Sequence, residues 1–412
     1  MIKSPIRVGL IGAGYAATGF AFQCAKTKGL HLIAVSNRTA GNAKKMLNKI
    51  GISNPKRLNK PADIKKLQTQ TETGFTDDPS LLLTSNFIDV IVEATGDVEF
   101  GAYIAYESIK ARKHIILINA ELDCTLGPIL KKKADDVGVI YSQADGDQPG
   151  VIMNLIREAE FMGMRVVMAG NIKTMLDQHR TPETQKAWAK KNNQSTTLAT
   201  SAVDGTKLAA EMASVANAAG FSVAIRGMHG FSLKHVDDAQ AAFKKLNNLN
   251  KAGIVDYIIG AQPSFGVFIV ARCEKPLIRK YLKMYKLGNG PLYTLYRPFH
   301  LCTLEAHKSV VQAVVFKNAT LAPRGLYCEV IAMAKRELKS GEILDGIGGF
   351  TTFGMIENSR VVRKQNLLPI GLSKGCVLKK SVSKDKPITF SDIIVPKGRL
   401  INKLYNEQKN LF

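Results

Sequence analysis

The sequence predicts an α/β fold with a doubly wound parallel sheet, and three features of its first 150 residues carry this prediction. A short apolar strand, a glycine turn and a helical pattern open the chain within residues 6–19. Apolar segments then recur at 31–36, 87–92, 114–118 and 139–141. Helical patterns separate them, including one at 98–112 and one at 126–137. Strands that alternate with helices pair in parallel, so their carboxyl ends and the loops that follow should share one edge of the sheet.

The glycine turn predicts a dinucleotide site. Gly12 and Gly14 follow the first strand, and the missing side chains allow the backbone to approach a pyrophosphate. The helix that begins next would point its free N–H groups at this anion. Ala17 occupies the third position of the fingerprint. We therefore predict a Rossmann-type domain in which Gly12, Gly14, Tyr15 and Ala16 contact the cofactor.

The end of the second strand predicts which cofactor binds. An NAD site places an Asp or Glu on the ribose about 20 residues after the glycines. This chain has Ser36, Asn37 and Arg38 there instead. No carboxylate repels a 2′-phosphate, and Arg38 can pair with one, although a solvated arginine after a strand is the simpler alternative. NADP is the predicted cofactor, with Asn37 and Arg38 as contacts.

The later strand ends carry polar loops that should face the same cleft. Acidic residues 121, 123, 145 and 147 on neighbouring loops predict a Mg²⁺ or Mn²⁺ site centred on Asp145 and Asp147, because carboxylate oxygens suit these ions. Capping of helices is the alternative. The remaining predicted cofactor contacts are Ala94, Thr95, Gly96, Asn119 and Glu121.

Composition limits the classes of partner. The chain has 412 residues and a formal charge of +23, but its lysines are spread widely and no aromatic-interleaved basic stripe is present. We therefore expect no nucleic-acid partner. No run reaches the roughly 18 apolar residues of a membrane span, so we expect no membrane partner. The six cysteines form no Cys-x-x-Cys pair, which is typical of a cytoplasmic protein without zinc or a disulfide framework.

Changes in composition and pattern predict four segments: a nucleotide-binding domain at 1–150, an α+β substrate and dimerisation domain at 151–320, a small β-rich domain at 321–395 and a tail at 396–412. Within the β-rich domain, residues 328–334 predict a strand. In the second domain, residues 165–169 predict a strand leading to Lys173, and 176–199 predict a polar surface excursion. A helix follows, with Asp204 as its N-terminal cap and Gly220 at its end.

Several polar residues of the second domain are candidates for chemistry. Lys173 follows a strand and could bind a carboxylate or phosphate. Lys207 lies in a first helical turn, where the dipole disfavours a cation, although a salt bridge to Glu211 explains it as well. His229 has the loop context of an acid–base residue. Asp204, Arg297 and His300 are predicted substrate contacts, the last two as an anion clamp, with structural roles as the alternative.

The order of motifs resembles the homoserine-dehydrogenase-like oxidoreductases that carry a C-terminal SAF domain, a small module also found in sialic acid synthases and antifreeze proteins. The SAF-like segments are 334–344 and 386–393. The resemblance covers nearly the whole chain, and its other motifs lie at 12–14, 93–96, 227–230, 253–257, 290–293 and 296–300. Two departures separate the chain from true homoserine dehydrogenases. Residues 119–121 lack their lysine, and Asp204 and Lys207 are three positions apart rather than four.

Within this family, the chain resembles most the branch of enzymes that are similar to 1-deoxy-D-xylulose 5-phosphate reductoisomerase. The expected activity is NADPH-dependent conversion of a phosphorylated or carboxylated keto-sugar, in isoprenoid precursor synthesis, by a homo-oligomer (dimer or tetramer) that uses a divalent ion. Lys207, His229 and Lys173 would be the catalytic residues. A plain NAD(P)-dependent dehydrogenase of a hydroxy or sugar acid is the first alternative. A non-catalytic nucleotide- or carbohydrate-sensing protein is the second.

Overall fold

The computed structural model describes residues 4–67, 72–246 and 252–412, and it divides into two compact units. The first unit consists of Met1–Asp147, Leu301–Ala322 and Arg399–Leu411, and the second of Gln148–His300 and Pro323–Gly398 with Phe412. Helices and strands are numbered along the whole chain.

A seven-stranded parallel sheet forms the centre of the first unit. Its strands are β1 (Ile6–Ile11), β2 (Leu30–Ser36), β3 (Lys56–Arg57), β4 (Gly74–Thr76), β5 (Val90–Glu93), β6 (His114–Leu117) and β7 (Tyr141–Gln143). The order is β3-β4-β2-β1-β5-β6-β7, and each neighbouring pair is parallel. Val8, Leu10, Val35 and Val92 belong to its apolar core. The predicted doubly wound sheet is confirmed.

The helices of this unit come from three separate parts of the chain. They are α1 (Tyr15–Lys26), α2 (Ala40–Lys49), α3 (Pro61–Lys66), α4 (Ser80–Leu83), α5 (Val98–Lys110), α6 (Ala120–Asp136), α13 (Cys302–Glu305), α14 (His307–Val314) and α17 (Leu400–Leu411). A Cβ at Gly19 of α1 would lie 2.5 Å from Cβ of Thr303, so glycine allows α13 to pack closely.

The predicted C-terminal tail is the helix α17. Its residues Ile401, Leu404 and Tyr405 are buried. Gln408 accepts a hydrogen bond from N–H of Ile129 (3.1 Å) and donates one to the carbonyl of Thr125 (3.0 Å). An amphipathic segment without a distinctive motif gives no sign of its docking partner, because that partner is almost 300 residues away in sequence.

A five-stranded mixed sheet forms the centre of the second unit, in the order β12-β11-β8-β10-β9. Strands β8 and β10, like β10 and β9, are parallel, whereas β11 is antiparallel to β8 and β12. An antiparallel hairpin of β13 and β14 contains the predicted strand at 328–334 with unchanged bounds. The strands are β8 (Arg165–Lys173), β9 (Phe231–Ser232), β10 (Ile254–Ile259), β11 (Gly266–Arg272), β12 (Leu292–Arg297), β13 (Cys328–Ala334), β14 (Thr352–Asn358), β15 (Val377–Leu378) and β16 (Ile393–Ile394).

The helices of the second unit include α10, which packs between the large sheet and the hairpin. They are α7 (Gln148–Phe161), α8 (Pro182–Lys191), α9 (Thr196–Val203), α10 (Thr206–Ala219), α11 (Ala239–Lys244), α12 (Pro276–Met284), α15 (Ser359–Lys364) and α16 (Ile370–Ser373), with 3₁₀ turns at Val236–Asp238 and Phe390–Asp392. Residues 176–199, predicted as a polar surface excursion, are mostly exposed and contain the helices α8 and α9, which Thr181 and Ser195 cap.

The two compact units differ from the four consecutive segments that the sequence analysis predicts. Residues 301–322 belong with the first unit, and 323–398 belong with 148–300. The assignment of 321–395 to a SAF domain stays a prediction. Among the described residues, no helix has both the length and the apolar character needed to cross a bilayer.

Candidate functional site

The glycine turn of the first unit has the geometry that a dinucleotide phosphate requires. Gly12 adopts φ +114°, and a Cβ there would lie 2.5 Å from the carbonyl oxygen of Ala94 at the end of β5. Gly14 is the N-terminal cap of α1, and a Cβ added there would meet nothing within 4 Å. One glycine is therefore required by the fold, while the other leaves open space in front of the helix N-terminus. These residues fit a bound pyrophosphate.

The end of β2 lies next to this turn, since β2 pairs with β1 through Ser36 and Ile11. Arg38 is exposed, and Asn37 donates a side-chain hydrogen bond to the carbonyl of Thr39 (3.0 Å). The exposed guanidinium remains available to a phosphate. The predicted roles of Asn37 and Arg38 stay predictions.

The buried carboxylate of Glu93 connects the ends of β5 and β6 by hydrogen bonds. The sequence analysis did not include Glu93 among the candidate site residues. Glu93 is fully buried and accepts hydrogen bonds from N–H and Oγ1 of Thr95 and from Nδ2 of Asn119 (2.9 Å). Burial raises the pKa of Glu93 to about 7, while the bonds from Thr95 and Asn119 oppose that rise. Two predicted cofactor contacts are thus held in place by Glu93. Its position between an apolar strand and Ala94-Thr95-Gly96 was the available signal.

The predicted loop at 119–123 is wrong, because α6 already begins at Ala120. Asn119 caps the helix by accepting a hydrogen bond from N–H of Leu122 (3.1 Å), so the chain turns helical at once. Glu121 is buried in the first turn. Asp123 is fully buried and accepts a hydrogen bond from the hydroxyl of Tyr141 (2.6 Å).

The predicted metal ligands Asp145 and Asp147 follow β7. The Asp145 carboxylate accepts a bond from N–H of Gly146 (2.7 Å), and the Asp145 N–H donates to Oγ of Ser309 (2.7 Å). Over residues 4–67, 72–246 and 252–412, no three His, Cys, Asp or Glu residues come together as a metal site. The metal site stays a prediction to which the geometry adds no support.

In the second unit, the two predicted catalytic lysines converge on one carboxylate. Glu211 of α10 is fully buried, and its Oε1 lies 3.2 Å from Nζ of Lys207, one turn earlier. Its Oε2 lies 3.9 Å from Nζ of Lys173, at the end of β8. Both ammonium groups are partly exposed. The salt bridge between Lys207 and Glu211 is therefore present, but it belongs to a cluster that also includes a residue from another element.

The strand β8 supplies a further member of this cluster. Asn171 is two residues before Lys173 and so points to the same face of the sheet. Its Nδ2 donates a 2.6 Å hydrogen bond to Oε2 of Glu211. We name the set Asn171, Lys173, Lys207 and Glu211 the lysine–glutamate cluster. The cluster brings two ammonium groups to one carboxylate, and ammonium groups attract an anionic substrate.

The third predicted catalytic residue, His229, has a carboxylate partner that sequence reasoning missed. Its Nδ1 lies 2.8 Å from Oδ2 of Asp256, which is fully buried on β10. The same carboxylate accepts hydrogen bonds from N–H of His229 and Gly230. The imidazole also stacks on Phe231, with ring centroids 5.2 Å apart. When Nδ1 donates to Asp256, Nε2 carries the lone pair for proton transfer.

The Asp204 carboxylate binds the first N–H of α10, as the predicted helix cap would, although the capping residue itself is Gly205. The N-terminal cap of α10 is Gly205, in the left-handed conformation, and the Asp204 carboxylate accepts a hydrogen bond from N–H of Thr206 (2.9 Å). Its other oxygen pairs with Nζ of Lys335 (2.8 Å), and both side chains are buried. Burial raises the pKa of Asp204, and Lys335 opposes the rise. A substrate contact through Asp204 stays a prediction.

A cavity of about 390 Å³ lies beside the start of α10. It is lined by Gly205 and Leu208, by Tyr257 and Ile259 of β10, and by Met228 in the loop before β9. Leu208 follows Lys207 in sequence, and Ile259 pairs with Lys173 in the sheet. The cavity is therefore lined by the same helix and sheet that carry the lysine–glutamate cluster.

Arg297 and His300 each pack on a separate aromatic ring. The Arg297 guanidinium lies 4.3 Å from the ring centroid of Phe299, and the His300 ring lies 4.3 Å from that of Phe265. Their predicted function as an anion clamp stays a prediction.

One family model matches part of the chain, mostly within the second unit. Residues 146–306 match the family model described as oxidoreductase DRL, catalytic domain. This range contains the lysine–glutamate cluster and the pair of His229 and Asp256. The predicted enzyme class, an oxidoreductase, is confirmed. A search of curated proteins gives no match.

Several solved structures are similar at low identity. A structure described as a probable dehydrogenase from Thermotoga maritima is 13% identical over 76% of this chain and 90% of its own, with a TM-score of 0.43. GenD2 from gentamicin A biosynthesis, in complex with NAD, is 12% identical over 77% and 88%, with a TM-score of 0.38. The WlbA dehydrogenase from Bordetella pertussis, in complex with NADH and UDP-GlcNAcA, is 16% identical over 44% and 50%, with a TM-score of 0.31. The chain spans about half the length of this last protein.

Proposed function

We propose that the chain is a nicotinamide-dependent dehydrogenase of a small anionic hydroxy or carbonyl compound, with sugar acids and sugar phosphates as the first substrates to test. The observation that carries the proposal is the convergence of Lys173 and Lys207 on the buried Glu211. The first unit contributes a glycine turn that fits a pyrophosphate, and the second contributes cations and a histidine for the substrate.

Each residue has a separate task in this proposal. Lys173 binds the carboxylate or phosphate of the substrate, and Glu211 holds both lysine side chains in place. Lys207 donates a proton to the carbonyl oxygen during reduction and accepts it during oxidation. His229 is the alternative: as an imidazolium it would donate the proton from Nε2, and as a neutral imidazole it would accept it. The reduced nicotinamide, when bound, supplies the hydride to the carbonyl carbon. The product is then an alcohol and the oxidised cofactor.

A plain dehydrogenase accounts for this site better than a reductoisomerase does. Hydride transfer needs an anion-binding group and one proton donor, and the lysine–glutamate cluster and His229 supply these. Isomerisation of the carbon skeleton needs further groups, and we assign this task to none of the residues that the structure describes. The resemblance to the reductoisomerase-like branch, the use of a divalent ion and the homo-oligomeric state stay predictions.

Substitution of Lys207 tests the chemistry. In Lys207→Ala, we expect turnover of a responsive sugar acid or keto-sugar phosphate to fall roughly 100- to 10,000-fold, the usual contribution of a positioned proton donor. Calorimetric titration with NADPH should give unchanged affinity. Lys191→Ala, at an exposed end of α8, is the control. Full turnover in both Lys207→Ala and His229→Ala would contradict the assignment, as would cofactor binding without turnover of any compound tested.

Arg38 tests the choice of cofactor. A guanidinium paired with the 2′-phosphate contributes about 1.5–3 kcal/mol, so Arg38→Ala should weaken NADPH binding roughly 10- to 100-fold and leave NADH binding unchanged. Parallel titrations with the two cofactors measure this, with the exposed Lys45→Ala as the control. An equal loss for both cofactors would mean that Arg38 does not contact the 2′-phosphate.

A further inference from the structure

Only part of the apolar face of helix α12 is buried, and the rest is exposed. Leu282 is buried against the unit, whereas Leu277, Tyr281, Met284 and Tyr285 are between 52% and 70% exposed. Position 281 is four residues after 277, and 284 and 285 are three and four residues after 281, so the four side chains form one continuous ridge.

A second exposed apolar segment adjoins this helix. Phe161, at the end of α7, is 95% exposed, and Met162 follows it. The turn lies against α12, because a Cβ at Gly163 would be 3.0 Å from Nζ of Lys275 and 3.4 Å from Cδ1 of Ile278. We name Phe161, Met162, Leu277, Tyr281, Met284 and Tyr285 the α12 ridge. Large side chains of this kind rarely protrude together without a partner.

The α12 part of the ridge is flanked by basic side chains. Residues 275–286 contain no Asp or Glu, and Lys275, Lys280, Lys283 and Lys286 are exposed. Among the described residues, none of the four has a carboxylate within ion-pair distance. Glu274 is paired with Arg272 (3.1 Å), and the acidic side chains nearest the turn in sequence are Glu158 and Glu160 of α7.

We propose that the α12 ridge binds the surface of an anionic lipid bilayer. Apolar and tyrosine side chains that protrude from a convex helix fit the interfacial region of a membrane, and the flanking lysines fit its phosphates. Two copies docked through this face would instead bring four lysines from each copy together without a carboxylate on α12. The formal charge of +23 draws the whole chain toward an extended anionic surface. The lack of a long apolar run excludes a membrane span but leaves this mode of binding open.

Sedimentation of the full chain with vesicles tests the proposal. We expect the protein to sediment with vesicles of phosphatidylglycerol and phosphatidylcholine at low salt, and to remain in solution with phosphatidylcholine alone. Lys280→Glu/Lys283→Glu should weaken binding at least about tenfold, because each lysine near the surface contributes about 1 kcal/mol. The control Lys44→Glu/Lys45→Glu makes the same charge change on exposed α2 residues and should bind as the wild type does. Circular dichroism confirms that each variant is folded.

The apolar part of the ridge needs its own variant. Tyr281→Ser/Met284→Ser should also weaken vesicle binding about tenfold, since it removes the side chains that enter the interface while leaving the charge unchanged. Failure of the wild type to bind anionic vesicles would overturn the proposal. Equal loss in the α2 control would show attraction by net charge alone and would also overturn it. So would a dimer in sedimentation velocity that Tyr281→Ser/Met284→Ser converts to a monomer.

Discussion

The nucleotide-binding edge of the first unit and the lysine–glutamate cluster of the second are built in different ways. At the edge, the backbone forms the site: Gly12 permits the turn and Gly14 leaves the helix N-terminus open. In the cluster, side chains from β8 and α10 meet at Glu211, 40 residues after Asn171. A site made of backbone appears in sequence as a local motif, whereas a site made of converging side chains depends on the packing of distant segments.

The largest effect is expected from the buried support of α10. Lys335→Met would leave the Asp204 carboxylate buried without its cation, which costs about 3–5 kcal/mol of folding free energy. Chemical denaturation measures the loss. The loss should be smaller at pH 5 than at pH 8, because a further raised pKa of Asp204 favours the protonated form in the folded state.

A double variant distinguishes the ion pair from simple packing. Asp204→Asn/Lys335→Met should recover part of the lost stability, since no buried charge remains. The carbonyls of Arg180 and Gly349 still lose the Lys335 ammonium as their donor. If Lys335→Met alone costs less than about 1 kcal/mol, the pair does not support α10 as described. The exposed Lys339→Met provides the control.

An intermediate effect on folding stability is expected from Glu93. Its buried side chain supports the nucleotide-binding edge, which otherwise consists of backbone. Its folded pKa of about 7 lies above the ordinary 4.5, so its contribution to stability is fully present below pH 4.5 and is lost as the pH rises through about 7. Asp97 also raises this pKa, whereas Thr95 and Asn119 lower it.

Glu93→Gln should remove this pH dependence, so the stability of the variant relative to the wild type should rise by about 3 kcal/mol between pH 4 and pH 8. Thermal unfolding between pH 4 and pH 8.5 measures the effect, and Glu107→Gln on the surface of the same unit is the control. Parallel stability curves for the wild type and Glu93→Gln would show that Glu93 does not titrate in this range.

The smallest effect on stability is expected at Gly14. This position tests directly whether the nucleotide-binding edge is made of backbone. Gly14→Ala adds a methyl group that meets no protein atom within 4 Å, so the melting temperature should stay unchanged. Cofactor affinity should fall about tenfold, because the methyl group occupies the space that the pyrophosphate needs. Gly41→Ala, also in open space, should change neither quantity. Unaltered cofactor affinity in Gly14→Ala would move the nucleotide away from the turn.

The success of sequence reasoning depended on the distance between interacting residues. The glycine turn, the strand at 328–334, and the contact between Lys207 and Glu211 are local and were predicted. The prediction of a loop at 119–123 was wrong, because Asn119 was interpreted as a cofactor contact and not as a helix cap. The capping signal was local here as well.

The sequence by itself determined the parallel sheet, the glycine turn and the identity of the candidate catalytic residues Lys173, Lys207 and His229. Periodicity and glycine conformation act over a few residues, and they are therefore visible without a structure. Only the tertiary structure decided that Asp256 holds His229 and that Lys335 neutralises Asp204. These pairs join residues 27 and 131 positions apart. The desolvation cost of a buried charge requires a partner, but the sequence does not show which distant residue is that partner.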